Sequence, residues 1–137
     1  MKETCTVDYI DHVGVVVRDI DEALSFFKEV FGIQPAEISE LADFGIKAAL
    51  LTLGQTRLEV IQPLRRETTV GRFLENRGEG LHHLAFNLRN VDKGLKSVKA
   101  MGLEVVDETS RKGLSGLVGF IHPKSVHGVL TELVQTV

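Results

Sequence analysis

Hydrophobic and polar positions follow one another in the same order twice along this chain. In the first half, a stretch of apolar, β-branched residues predicts a strand at 9–17, and apolar residues spaced three and four positions apart predict a helix at about 20–31. Strands are predicted next at about 36–41, 46–53 and 56–62. The first module therefore has the order β-α-β-β-β.

Local signals mark where these elements begin and end. Asp19 is a predicted N-cap, and Glu22 three residues later completes a pattern like a capping box. Gly32 is a typical residue for the end of the helix. Gly54 and Gln55 predict a tight hairpin turn between the last two strands.

The second half repeats this order after a link that predicts a short helix at 70–76. A strand, a helix and three strands are predicted at 81–88, 91–101, 103–106, 117–121 and 129–134. The segment 109–116 contains Gly and Ser, which predicts a mobile loop. The fold class predicted is α+β, with two βαβββ modules at about 9–63 and 81–135 in one domain covering residues 1–137.

The two modules also repeat two residue types that bind metals. His12 aligns with His83, and Glu59 aligns with Glu132. Two copies of one unit usually pack about a pseudo-twofold axis, so we expect a curled mixed sheet around a cleft that these four residues line. A carboxylate within an apolar strand is costly unless it is paired or coordinated, and here the cost occurs twice at matched positions.

Two imidazoles and two carboxylates suit a divalent ion, with cobalt as the first choice and nickel, manganese or zinc as alternatives. Four protein ligands leave two positions of an octahedral ion for a substrate with two oxygen atoms. The set therefore predicts Lewis-acid chemistry in which the metal stabilises a developing enolate.

Composition and charge exclude several other classes of protein. The chain has 137 residues, a formal net charge of −3 and one cysteine, Cys5. The charge disfavours nucleic acid as a partner, and a single cysteine excludes an internal disulfide, which fits a cytoplasmic protein. We expect neither a signal peptide nor a membrane-spanning segment.

Four segments of the sequence resemble one known family. They read DHVGVVV, LGQTRLEVIQPL, FLENRGEGLHHLAF and FIHPKSVHGVLTEL, beginning at residues 11, 53, 73 and 120. Together with the spacing of the modules, they resemble the vicinal oxygen chelate superfamily and, within it, the methylmalonyl-CoA epimerases. The resemblance covers about 10–133 and implies the metal ligands His12, Glu59, His83 and Glu132.

The resemblance also implies a reaction, the interconversion of (R)- and (S)-methylmalonyl-CoA, and a homodimer. A base removes the proton at C2, and a second group reprotonates the opposite face. The implied acid/base groups are Asp43, where the family has glutamate, and Glu132, which would be both ligand and proton carrier. A second departure from the family is the segment 111–116, which is about one residue shorter.

Other interpretations of the sequence remain open at this stage. A glyoxalase I uses similar ligands, and a binding module of the same superfamily would bind a small molecule without catalysis. His82 points away from the ligand face by strand alternation, which favours a structural role. Four basic residues could contact the phosphates of coenzyme A, although solvent-exposed charge explains them equally: Arg65, Arg66, Lys112 and Lys124.

Overall fold

The protein is described by a computed structural model that covers residues 4–34, 37–114 and 116–136. The chain forms two compact units, one made of residues 12–82 and the other of residues from 83 onward together with the segment before residue 12. The link between the two predicted modules falls within the first unit.

The first unit is a four-stranded mixed sheet with two helices. Its elements are β1 (Tyr9–Val16), α1 (Ile20–Phe31), β2 (Ser39–Leu41), β3 (Ile46–Leu53), β4 (Thr56–Pro63) and α2 (Thr69–Arg77). The strand order is β2-β3-β4-β1, in which β1 runs parallel to β4 and β3 runs antiparallel to both of its neighbours. Of the predicted strand at 36–41, Ala36 lies outside the described residues.

Helix α1 begins and ends where the sequence predicts. The Asp19 side chain accepts a hydrogen bond from the backbone N–H of Glu22 at 3.1 Å, which satisfies a donor that the first turn leaves open. Gly32 ends the helix in the left-handed conformation, at φ 68°. The buried side chains of Ile20 and Leu24 anchor the helix in the core of this unit.

The second unit repeats the arrangement, and three of its four strands are shorter than their counterparts in the first unit. Its elements are β5 (Gly80–Asn87), α3 (Val91–Ala100), β6 (Arg111–Lys112), β7 (Gly116–Ile121), a short 3-10 helix (Pro123–Ser125) and β8 (Thr131–Thr136). The order β5-β8-β7-β6 contains one parallel pair, β5 with β8. Val91, Leu95 and Leu133 lie in the core of this unit.

One segment of the second unit differs from the prediction. The strand predicted at 103–106 is wrong, because only Val105 forms a bridge, to Ile121. The additional strand β6 lies instead within the segment predicted as a mobile loop. Asp92 accepts hydrogen bonds from both the backbone and the hydroxyl of Ser110, at 2.7 and 2.8 Å, which holds the chain in place before β6.

In the described ranges, no helix combines the length and the apolar character that crossing a membrane requires.

Candidate metal centre

The first unit brings His12 and Glu59 together on neighbouring parallel strands. Glu59 on β4 pairs with Gly14 on β1, and His12 lies two residues before Gly14 on the same face of the strand. The Nε2 atom of His12 is 3.7 Å from Oε1 of Glu59. The register of β1 and β4 thus places a histidine diagonally opposite a glutamate.

The second unit repeats this geometry with His83 and Glu132. Glu132 on β8 pairs with Ala85 on β5, and His83 lies two residues before Ala85. The Nε2 atom of His83 is 3.9 Å from Oε1 of Glu132. Both units therefore place their histidine and glutamate in the same strand register.

A small residue separates the two side chains in each pair. Gly14 in the first unit and Ala85 in the second stand directly beside the glutamate. Ala85 is fully buried. A larger side chain at either position would project from the same face between histidine and glutamate. The small residues therefore leave room for the two polar groups to face each other.

All four side chains are buried, which excludes the interpretation of the two carboxylates as solvated surface charges. His12, Glu59, His83 and Glu132 are 4, 9, 7 and 7% exposed. Surface charge does not explain carboxylates with so little exposure, because removing them from water costs several kcal/mol without compensation.

The separations fit ligation better than a direct hydrogen bond. Distances of 3.7 and 3.9 Å between nitrogen and oxygen exceed the usual limit of about 3.2 Å for a hydrogen bond. With metal–ligand bonds of about 2.1 Å, two donors on one ion lie roughly 3.0 Å apart at a right angle and about 4.2 Å apart when opposite. Both pairs fall between these limits, so the chemistry and spacing of the donors fit a divalent cation.

Asp43 is not on one of the strands that carry the buried pairs. It lies in the exposed turn between β2 and β3. The turn ends at Gly45, whose φ is 65° and whose carbonyl oxygen accepts a hydrogen bond from the backbone N–H of Leu64 at 2.7 Å. This bond fixes the turn to the end of β4. The role of Asp43 in proton transfer stays a prediction.

The remaining histidines occupy structural positions. His82 is half-buried, and its ring contacts that of Phe73 edge to face at 4.9 Å between centroids. His122 caps the 3-10 helix, with Nδ1 accepting from the backbone N–H of Lys124 at 3.1 Å. His127 lies at φ 52° in the turn before β8. The contact of His82 agrees with the structural role that strand alternation favours for it.

The four basic residues considered for coenzyme A are exposed. The Nε atom of Arg65 donates to Glu67 at 3.0 Å, and Arg66 forms an ion pair with Glu75. Their contact with phosphate stays a prediction.

Sequence reasoning missed a buried polar network in the second unit. The side-chain amide of Asn87 donates to Oδ1 of Asp11 at 2.9 Å and to the hydroxyl of Thr136 at 3.0 Å. Asp11 immediately precedes His12 in the chain. Asn87 within an apolar strand was the available signal.

Sequence reasoning also missed Phe120 on β7. Its ring contacts the imidazole of His83 edge to face, with 5.7 Å between the centroids. Nothing in the sequence distinguishes this phenylalanine from one that belongs to the core.

Comparisons with known proteins agree with this architecture. Residues 11–120 match the family model of the Glyoxalase/Bleomycin resistance protein/Dioxygenase superfamily. The chain is 32% identical to the human mitochondrial methylmalonyl-CoA epimerase over 128 residues, which are 92% of this chain and 73% of the relative.

Solved structures of similar proteins extend the agreement to the fold. A methylmalonyl-CoA epimerase in complex with methylmalonyl-CoA and NH4+ has a TM-score of 0.91 at 32% identity, and the match covers 96% of each chain. The methylmalonyl-CoA epimerase of Mycobacterium tuberculosis has a TM-score of 0.92 at 32% identity, covering 100% of this chain and 93% of that one. The predicted fold class, an α+β fold of two βαβββ modules, is confirmed.

Three observations lead to one assignment. Each module has a buried histidine and glutamate in the same register, a superfamily model spans most of the sequence, and enzyme relatives have the same fold. The chain belongs to the glyoxalase/bleomycin resistance protein/dioxygenase superfamily and, within it, to the methylmalonyl-CoA epimerase family.

Proposed function

We propose that this protein is a metal-dependent epimerase that interconverts the (R) and (S) forms of methylmalonyl-CoA. The observation that carries the proposal is the pair of buried histidine–glutamate contacts, 3.7 and 3.9 Å long, at matched positions of the two units. A relative of the same fold that binds methylmalonyl-CoA supports the choice of substrate.

The proposed metal site has four ligands, which are His12, Glu59, His83 and Glu132. Imidazole and carboxylate donors suit cobalt, and also nickel, manganese or zinc. When bound, such an ion supplies Lewis acidity toward the carbonyl oxygen that gains negative charge as the substrate loses its proton. The buried surroundings of the ligands strengthen their interaction with a cation, because little water screens it.

Proton transfer at C2 is assigned to two carboxylates of the chain. The Asp43 carboxylate removes the C2 proton, and the electron pair of the C–H bond moves into the adjacent carbonyl group. Glu132 carries a proton at the start and donates it to the opposite face of C2, so that Asp43 ends protonated and Glu132 ionised, the configuration inverts, and no group is oxidised or reduced. Aspartate reaches less far than glutamate by one methylene, so the placement of its turn is critical for the rate.

Substrate recognition follows from the same assignment. The coenzyme A phosphates carry negative charge, and the exposed basic residues Arg65, Arg66, Lys112 and Lys124 are the candidates to contact them. We include a homodimer in the proposal, which sedimentation velocity would test.

Deuterium exchange tests the proposed reaction directly. Cobalt-loaded protein is incubated with (S)-methylmalonyl-CoA in D2O, and incorporation at C2 is followed by NMR or mass spectrometry. The proposal expects one deuterium at C2 together with loss of optical purity. Absence of exchange above the rate without protein would count decisively against the proposal.

A parallel assay separates the nearest alternative activity. The same cobalt-loaded protein is given the hemithioacetal of methylglyoxal and glutathione, and formation of lactoylglutathione is followed by absorbance. Turnover of this compound without exchange in methylmalonyl-CoA would favour a glyoxalase I. Inactivity toward both, with tight binding of methylmalonyl-CoA, would favour a non-catalytic binding module.

A further inference from the structure

The two units differ at the residue that stands across the sheet from the ligand glutamate. Leu50 on β3 pairs with Glu59 in the first unit, whereas Phe120 on β7 pairs with Glu132 in the second. The Phe120 ring lies 5.7 Å from the His83 ring, at an interplanar angle of 79°. Phe120 is therefore the neighbour of both candidate ligands of its unit.

The backbone of Phe120 is held from the side away from β8. Its N–H donates to Oδ2 of Asp107 at 2.8 Å, and its carbonyl oxygen accepts from the backbone N–H of Val106 at 2.8 Å. These groups consequently do not bond to β8, which makes Phe120 and Glu132 a non-hydrogen-bonded pair. Side chains approach more closely in such pairs than in hydrogen-bonded ones.

The Phe120 ring is also covered from outside. The guanidinium carbon of Arg111 lies 5.7 Å from the ring centroid, which is the geometry of a cation–π contact. The Nε atom of Arg111 donates to Oδ1 of Asp107 at 3.3 Å. One oxygen of Asp107 thus holds the backbone of Phe120, and the other holds the side chain that covers its ring.

The position that matches the covering charge holds an uncharged residue in the first unit. Arg111 on β6 pairs with Val118, and the matched position on β2 is Ser39, which pairs with Ala48. Both units therefore have the candidate ligands, whereas the positions of Phe120 and Arg111 hold Leu50 and Ser39 in the first unit. A difference confined to the surroundings of one ligand pair points to a role in that pair.

We propose that Phe120, clamped by Asp107 and Arg111, is a positioning residue that fixes the orientation of the His83 imidazole for metal binding. The inference rests on the proposed function, since it assumes that His83 and Glu132 bind a metal. An edge-to-face ring contact restricts rotation of the imidazole about its terminal torsion, which is otherwise broad. Groups that orient a ligand typically change metal affinity by roughly 10–100-fold when removed.

The first test compares cobalt binding by calorimetry and by the visible absorption of the bound ion. Phe120→Leu, which installs the type of side chain that the first unit has, is expected to weaken affinity at least about tenfold and to shift the absorption bands. Phe120→Tyr keeps the ring and should restore the parent values. Leu50→Val removes bulk beside Glu59 and should change affinity by less than about twofold.

The second test needs no metal. In metal-free protein, the ring current of Phe120 displaces the NMR resonances of the His83 imidazole protons, and Phe120→Leu should abolish the displacement while Phe120→Tyr keeps it. Arg111→Gln should broaden these resonances and weaken cobalt binding by a smaller factor than Phe120→Leu. Unchanged His83 resonances in Phe120→Leu would overturn the contact on which the inference depends.

The outcomes distinguish this inference from the proposed function. Parent protein that binds no cobalt would overturn both together. Tight cobalt binding that Phe120→Leu leaves unaltered would overturn the positioning role alone. Weak binding by both Phe120→Leu and Phe120→Tyr, with both folded by circular dichroism, would also count against it, because the aromatic ring would then not be the feature that matters.

Discussion

The carboxylate of Glu132 lies 3.9 Å from the imidazole of His83, on the strand that runs parallel to the one carrying the histidine. Neither residue is paired with the other in the sheet. Their side chains meet because Ala85, the direct neighbour of Glu132, is too small to separate them. Two adjacent histidines in β5 consequently have different surroundings, although the sequence presents them together.

The first prediction concerns these two histidines. His83→Ala removes a candidate ligand. It should weaken cobalt binding by more than the roughly 10–100-fold that is typical when a group that only orients a ligand is removed. His82→Ala removes a ring that packs on Phe73 and should leave affinity within about threefold of the parent. Calorimetric titration with cobalt measures both. Equal effects of the two substitutions would contradict the assignment of His83.

The buried, matched positions of the four candidate ligands could be predicted from the sequence, because the two modules can be compared with each other. A single histidine or glutamate is ambiguous, but a match at the same place of both modules makes it a candidate ligand. Strand alternation then separated His83 from His82, since neighbours in a strand point to opposite faces. Helix α1 was equally predictable, because its caps Asp19 and Gly32 are local signals.

The surroundings of the candidate ligands could not be predicted, because they depend on partners far away in the chain. Asn87 donates to Asp11, 76 residues earlier. Strand β6 consists of two charged residues, which carry no apolar periodicity. It follows a segment held by two side-chain hydrogen bonds, one between Asp107 and the backbone of Phe120 and one between Asp92 and the backbone of Ser110. No local pattern specifies such bonds.

The second prediction tests the proton-transfer role of Asp43. Asp43→Asn keeps the shape of the side chain but removes the base, so C2 deuterium exchange should fall by about 10²–10⁴-fold while cobalt affinity is unchanged. Glu40→Gln, an exposed carboxylate on the preceding strand, is the control and should retain the parent rate. Exchange at the parent rate in Asp43→Asn would assign the base to another group.

The third prediction compares two glycines with the same backbone conformation. Gly45 and Gly54 have φ of 65° and 66°, but a Cβ at Gly45 would lie 2.6 Å from Cγ2 of Thr68, whereas nothing lies within 4 Å at Gly54. Gly54→Ala should cost about 1–2 kcal/mol of unfolding free energy from the left-handed backbone alone. Gly45→Ala adds overpacking and should cost roughly 1–3 kcal/mol more.

Chemical denaturation measures both glycine variants. Because Gly45 ends the turn that carries Asp43, Gly45→Ala should also slow C2 exchange in the molecules that remain folded. Gly54→Ala should not slow it, since Gly54 lies in the hairpin at the other end of β3. Equal stabilities of the two variants would show that the turn relaxes away from Thr68 without cost.

The last prediction concerns the dependence of stability on pH. Hydrogen bonds from the backbone and hydroxyl of Ser110 lower the pKa of Asp92 below its ordinary value of 3.8. A carboxyl whose pKa is lower in the folded state contributes stability above its unfolded pKa, and this contribution is lost as pH falls through the folded value. Asp92→Asn should therefore destabilise the protein by about 1 kcal/mol at neutral pH. The destabilisation should be smaller at a pH below the pKa of the carboxyl in the folded protein.

Asp21 provides the matched control, because it occupies the same place in α1 that Asp92 occupies in α3 but is exposed. The difference in unfolding free energy between parent and Asp92→Asn, measured by urea denaturation from pH 7 to pH 2.5, should shrink steadily on acidification. The corresponding difference for Asp21→Asn should be smaller at neutral pH. If the difference in unfolding free energy between the parent and Asp92→Asn did not change with pH, the charge of Asp92 would contribute nothing to stability. Ser110 would then be held before β6 by hydrogen bonds that do not depend on that charge.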